Sequence, residues 1–185
     1  MPRAPPARRV KRTMDLYLLR HGIATNAEET APDGERPLTA KGIKRMRKAA
    51  RGLRRLGVSF DAILTSPLAR ARQTADIVAK ELGLQAHLSV VETLQPGSSI
   101  ETLLSALSAY ENREHVLLIG HEPLLSDTAA FLLTGKKTVA LDLAFKKGSL
   151  CHIEIDSLPP REPGTLHCML APKQLRLLGA RGGNS

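Results

Sequence analysis

Aromatic side chains are scarce in this chain, which has no tryptophan, two tyrosines and three phenylalanines among 185 residues. Nucleic acid held by base stacking needs aromatic faces interleaved with cations, and none interleave with the cations of its most basic segment, residues 41–54. Cysteine is equally sparse. Cys151 and Cys168 alone cannot form a disulfide framework, and a reducing compartment is expected. No apolar run approaches the length of about 18 residues needed to span a bilayer, and the basic N-terminus is followed by no apolar signal core. These absences point to a soluble cytoplasmic protein with no membrane partner.

What is present suits one compact core. A hydrophobic content of 42% in 185 residues is enough for one domain of ordinary size and too little for two. The net charge of +9 raises nucleic acid or an acidic substrate as partners. Its distribution argues against the first. Residues 1–13, "MPRAPPARRVKRT", hold Arg3, Arg8, Arg9, Lys11 and Arg12 and no acid, which accounts for all but +4 of the net charge. With three prolines and one valine this segment has little to bury and is expected to be a disordered arm. A later start codon at Met14 is an alternative account of it. Residues 14–180 are expected to form the single domain, and 181–185 a flexible C-terminus.

Strand and helix patterns alternate along residues 16–135. "TAKGIKRMRKAARGLRRLG" places Ile43, Met46, Ala50, Leu53 and Leu56 at three- and four-residue steps, a helix whose other face is a solvated row of lysines and arginines. "FDAILTS" reads as a buried strand. Ser66-Pro67 predicts the next helix start, with the serine as cap and the proline in the first helical position. "QAHLSVV" reads as a third strand, and Ser98 with Glu101 suggests a capping box before "IETLLSAL". "HVLLIG", the helix "EPLLSDTAAFLLTG", the hairpin strands "GSLCHIEID" and "TLHCML", and a last helical "PKQLRLLG" complete the chain. The expected fold is α/β with three layers: a mostly parallel central sheet, helices on both faces and an added C-terminal hairpin.

In such a sheet the site lies beyond the carboxyl ends of the strands. Three of those ends carry unusual residues. "LYLLRHGIA", residues 16–24, runs an apolar strand into Arg20, His21 and Gly22; the second strand ends at Thr65-Ser66-Pro67 with Arg70 close behind; the fourth ends in Gly120-His121-Glu122-Pro123. Two guanidiniums and two imidazoles therefore converge on one edge beside helix N-termini, which favour anions. Singly, each has an ordinary structural explanation. Jointly they do not.

"LLRHG", "TSPLARARQTA" and "IGHEPLL", with "RPLTAKG" between the first two, resemble in this order the motifs of the histidine phosphatase superfamily, whose fold is called phosphoglycerate mutase-like. The resemblance spans residues 15–133. The small size and the ending "APKQLRLL" most resemble its SixA-type phosphohistidine phosphatases. It implies that His21 is the nucleophile, with Arg20, Arg70, His121 and Gly22 holding the phosphoryl group. An imidazole is a good nucleophile near neutral pH, and two guanidiniums with an imidazolium could stabilise phosphoryl transfer without a metal or other cofactor. Gly22 would let the backbone turn so that His21 enters the pocket.

Two positions depart from the family pattern. Ile23 stands where many relatives carry a carboxylate, and the glutamate that follows the third strand in many relatives has only Glu92, in "VETLQPG", as candidate general acid. A site without a dedicated acid suits phosphohistidine, whose leaving imidazole is a weaker base than an alkoxide. The expected function is therefore dephosphorylation of a phosphohistidine-containing phosphotransfer protein in signal transduction. A small-molecule phosphomonoesterase is the alternative on the same fold, and a non-enzymatic anion- or nucleic-acid-binding module the alternative of another class. The pair "CH" and "HC" at Cys151, His152, His167 and Cys168 raises zinc, but strand alternation leaves two ligands on each face, and no metal is expected.

Overall fold

A computed structural model describes residues 13–26, 32–136, 141 and 143–180. The expected arm, save Thr13, and the expected tail over 181–185 lie outside the described residues. The strands are β1 (Met14–Arg20), β2 (Ala62–Thr65), β3 (Leu88–Val90), β4 (His115–Gly120), β5 (Leu150–Ile155) and β6 (Thr165–Leu170). The helices are α1 (Ala40–Arg55), α2 (Ala69–Leu82), α3 (Ile100–Leu107), α4 (Leu124–Thr134) and α5 (Pro172–Ala180).

One sheet in the order β3-β2-β4-β1-β5-β6 organises the molecule. Its first four strands are parallel, and β5 and β6 are antiparallel additions beside β1. β1 and β4 are apolar at nearly every position because both sheet faces are covered. Leu16 and Leu18 face a core shared with Leu103, Leu107, Leu125 and Ala129, which places α3 and α4 on one side. Tyr17 and Leu19 face the other, with Met46, Leu53, Ala75, Val78 and Leu175 from α1, α2 and α5. This is the expected three-layer arrangement.

Small residues set how closely the layers approach. A Cβ on Gly52 would lie 2.2 Å from the Leu175 carbonyl oxygen, and one on Gly179 would lie 1.8 Å from that of Lys48, so the backbones of α1 and α5 touch where no side chain fits. Thr39 caps α1, its hydroxyl accepting from the Gly42 N–H at 2.9 Å. The chain enters this cap from the site, since the Thr39 N–H donates to the Ile23 carbonyl at 2.9 Å.

Three local expectations are corrected. α2 begins at Ala69 rather than Pro67: Ser66 accepts from the Leu68 N–H at 3.3 Å, forming a turn that delays the helix. α3 is capped by Ser99 rather than Ser98, its hydroxyl accepting from the Thr102 N–H at 3.2 Å. The third strand is only Leu88–Val90, because Gln85–His87 close into a 3₁₀ turn.

Candidate active site

Strand register places the two histidines. Arg20 pairs with Gly120 and Thr65 with Ile119 across adjacent parallel strands, so His21, His121 and Ser66 emerge side by side where β1, β4 and β2 end. The imidazole centroids are 4.9 Å apart, matching the inter-strand spacing of about 4.8 Å. Backbone bonds extend the pairing one residue further: the His21 N–H donates to the Gly120 carbonyl at 3.1 Å and the Ser66 N–H to that of Ile119 at 3.0 Å.

His21 is 5% exposed, and its Nδ1 lies 2.7 Å from the Gly22 carbonyl oxygen. A carbonyl can only accept, so Nδ1 carries the proton in the neutral ring and Nε2 keeps its lone pair. Burial foremost, then His121, pushes the His21 pKa down to about 3. At neutral pH this imidazole is an uncharged nucleophile. His121 is 2% exposed with Nε2 2.9 Å from the Ser66 hydroxyl. Burial and then Arg70 push its pKa down to about 4. It too is neutral near pH 7, where the sequence reading expected an imidazolium.

Gly22 is required for space rather than for a turn. Its φ is not in the left-handed region, whereas a Cβ there would lie 2.7 Å from Met46 Cγ and 3.2 Å from Leu38 Cδ2. The Gly22 N–H donates to the Thr74 hydroxyl at 3.1 Å, which donates in turn to the Arg70 carbonyl at 2.7 Å. The nucleophile's turn is thereby tied to α2.

The cations surround this pair. Arg70 is 5% exposed and projects from the first turn of α2. It donates to the Asp33 carbonyl at 2.6 Å and to Asp33 Oδ2 at 3.1 Å. Arg36 holds the same carboxylate through two further donors, and these bonds, led by those from Arg36, keep the Asp33 pKa below the usual range. Arg20 donates to the Phe145 carbonyl, while its buried Nε has no protein partner among the described residues.

A cavity of about 230 Å³ is lined by Arg20, His21, Arg36, Arg70, His121 and Glu122, with Ala24, Pro96 and Lys147 completing it. Grooves of about 390 and 570 Å³ run along the charged faces of α1 and α2. They are larger, but no histidine or cysteine lines them. The structure brings together Arg20, His21, Arg70 and His121 as expected. Glu92 is not with them: it is exposed at the start of the turn Glu92–Leu94 and does not line the cavity.

Sequence reasoning missed three charged residues here. Arg36 stood within "RPLTAKG" and Glu122 within "IGHEPLL", but neither helical nor strand periodicity says where a loop side chain points. Lys147 follows Phe145, whose carbonyl holds Arg20. Among the described residues Glu122 is the one carboxylate lining the cavity, and its Oε1 is buried there without a protein partner.

Residues 16–95 match the family model of the histidine phosphatase superfamily, branch 1. Over 169 residues the chain is 29% identical to the phosphohistidine phosphatase SixA of Escherichia coli K12, covering 90% of this chain and 99% of that protein. An uncharacterised protein of Picosynechococcus is 43% identical over 133 residues, 70% of this chain and 79% of its own length. The chain belongs to the histidine phosphatase superfamily. The architecture agrees throughout: a structure of the protein histidine phosphatase SixA complexed with tungstate superposes with a TM-score of 0.75 at 29% identity, covering 88% of this chain and 99% of that one. The six-stranded sheet of this superfamily member is thus the phosphoglycerate mutase-like α/β fold.

Proposed function

We propose that residues 14–180 form a single metal-independent phosphatase domain that hydrolyses phosphohistidine in a cytoplasmic phosphotransfer protein through a phospho-His21 intermediate. The observation that carries this reading is the fixed tautomer of His21: Nδ1–H is held by the Gly22 carbonyl and the Nε2 lone pair is free among Arg20, Arg70 and His121. The phosphoryl oxygens bind the two guanidiniums, with Arg70 leaving Asp33 for the incoming dianion, while Gly22 lets the chain behind His21 pack against Met46 and Leu38. Nε2 of His21 then attacks phosphorus as the bond to the leaving nitrogen breaks, the departing imidazole leaving neutral because its other ring nitrogen carries a proton. Water attacks phospho-His21 in the second step, its proton passing to Glu122. Charge stabilisation and positioning do most of the work in such a transfer. The dianion also favours a proton on His121, which would supply the imidazolium that the free site lacks. Likeness to a phosphohistidine phosphatase at 29% identity supports this substrate class.

Glu122 gives the small-molecule phosphomonoesterase its own support, because its carboxyl group, protonated by the attacking water of one turnover, could protonate the alkoxide of the next. The two readings share every step except that proton. Incubation with a labelled phosphodonor and an alkaline quench should trap an acid-labile, alkali-stable phosphoenzyme. His21→Ala should abolish the trapped label and lower turnover by on the order of 10⁴-fold or more. Label retained by that variant removes His21 as nucleophile. A phosphohistidine protein hydrolysed no faster than an alkyl phosphate would favour the phosphomonoesterase, and no phosphate release from any phosphorylated compound would leave a binding module.

A further inference from the structure

Four of the six histidines lie away from His21, toward the amino ends of the parallel strands; of these His115 stands opposite Asp15, about 20 Å from His21 along β1, and His152 opposite Tyr17, about 13 Å away, at about 3.3 Å per residue. His115 opens β4, His152 lies in β5 and His167 in β6. We infer that Asp15, His152 and His167 form a second site here, for a divalent transition-metal ion of the zinc class.

Ligand atoms of these three side chains lie within 4.8 Å of one another. Two imidazoles and a carboxylate are a donor set suited to zinc, whose bonds of about 2.0–2.2 Å bring tetrahedral ligands to roughly 3.4 Å apart. Closing that difference of roughly 1.4 Å requires the His167 side chain, 43% exposed and bonded to Glu154, to turn out of its stack on His152 so that an in-plane lone pair points at the ion. The other two are adjacent and need to part from hydrogen-bond distance to roughly 3.4 Å to admit the ion between them. His152 Nε2 is 2.6 Å from Asp15 Oδ1, and the His152 ring stacks on Tyr17 at 4.1 Å between centroids. The His167 ring stacks on its other face at 4.7 Å.

Groups behind the ligands hold them in place, as around a metal site. His115 Nδ1 lies 3.2 Å from Asp15 Oδ2, the carboxylate oxygen that does not face His152. Asp61 fixes the start of β4 by accepting from the His115 and Glu114 N–H groups at 2.9 and 2.8 Å. Glu154 Oε2 lies 3.2 Å from His167 Nε2. When the ion binds, it replaces the proton between His152 Nε2 and Asp15 Oδ1, which moves to Nδ1 of His152; solvent fills the fourth position.

The ligand set differs from the cysteine-histidine quartet raised by the sequence. A register shift after His152 pairs it with Cys168 while Ile153 pairs with Leu166, so His167 is the extra residue of a bulge. Cys151 stays fully buried in the core on the other face. The two-and-two division expected from strand alternation does not hold: Cys168 pairs with His152 and shares its face, and the bulge brings His167 there too. The carboxylate that joins the histidines comes instead from β1, 137 residues away in sequence. An ion here would tie the edge strand β6 to the centre of the sheet.

Titration of the untagged, chelator-stripped full chain with zinc chloride, followed by calorimetry, tests the site. One equivalent should bind and raise the melting temperature. His167→Ala, whose exposed side chain is not needed for folding, should weaken binding at least about tenfold; Asp15→Asn should do the same. His121→Ala should leave the affinity unchanged, which separates this site from the phosphoryl pocket. Absence of saturable binding, binding insensitive to His167→Ala, or binding lost with His121→Ala would each overturn the inference.

Discussion

The two edges of the sheet use the same side chain for opposite purposes. At the carboxyl ends, His21 and His121 are buried, and guanidiniums outnumber the carboxylates of Asp33 and Glu122 around them. Toward the amino ends, His115 and His167 are half-exposed and His152 mostly buried, and each lies against a carboxylate. Helix direction reinforces the contrast: α2 and α4 start beside the first edge with their positive ends, whereas α2 ends at Gly83 on the side of the second. Burial among cations removes the imidazole's own charge and leaves a lone pair for an anion's phosphorus. Pairing with carboxylates gathers donors for a cation. What an imidazole does in this protein is decided by its neighbours, and the fold assigns those neighbours by strand polarity.

The sharpest way to break the contrast is to remove the one carboxylate that lines the cationic cavity. Glu122→Gln should cost an alkyl phosphate roughly 10²- to 10⁴-fold in kcat, because an alkoxide needs a proton as it departs. Phosphohistidine should lose far less in the first step, so comparing the two substrates at saturation checks the role. Equal losses would mean that Glu122 acts in a step both substrates share, such as taking the proton of water in the hydrolysis of phospho-His21, rather than on the leaving group. Arg70→Ala should come next, depressing kcat/KM on both substrates together by about 10²- to 10³-fold, since charge on the transferred oxygens is common to them. A substrate-selective effect of Arg70→Ala would place that guanidinium on the leaving group instead.

Much of this arrangement could be read from the chain, and the reasons differ by element. β1 and β4 announce themselves as apolar runs, and α1 by the spacing of Met46, Ala50 and Leu53, because burial on defined faces imposes a period. The convergence of His21 with His121 was legible too, since parallel strands bring their carboxyl ends to one edge. Glu122 and Arg36 were not legible, because loop side chains carry no period. Ser98 and Ser99 are chemically interchangeable as caps, so tertiary packing of Leu103, Leu104 and Leu107 selects the register. The Asp15 pairing with His152 depends on β5 joining β1, a long-range choice that local pattern does not encode.

Acid titration sharpens the same contrast at the level of stability. His21 and His121 have folded pKa values of about 3 and about 4, below the ordinary value of 6.5. Above pH 6.5 both states are neutral at these positions and their contribution is fully present. As pH falls below 6.5 the unfolded chain takes up protons that the folded one refuses, so stability drops, by roughly 1 kcal/mol per pH unit for each histidine, until about pH 4. Asp33 and Asp61, whose folded pKa values are lowered from 3.8, lose their contributions only at still lower pH. Chemical denaturation between pH 7 and 4.5 should therefore show a decline that His21→Gln with His121→Gln flattens. An unchanged slope in that double variant would assign the decline to other groups.

The smallest effect is expected at Glu92, the position that chain order alone nominated as proton donor. Its carboxylate is exposed at the start of the turn following β3, and β3 is the strand at the edge of the sheet beyond β2. A proton donor must come within hydrogen-bond reach of the leaving atom, directly or through one water. The residues that line the cavity include Pro96 from this stretch but not Glu92. Glu92→Gln removes one exposed charge and preserves the side chain's shape, so kcat on either substrate should stay within about twofold, as for most exposed substitutions. A selective loss on the alkyl phosphate would show that the turn swings inward once substrate binds, with Glu92 in place of Glu122 as the donor. Measuring Glu92→Gln beside Glu122→Gln on the same two substrates decides between them, because only one of the two carboxylates can be the selective one.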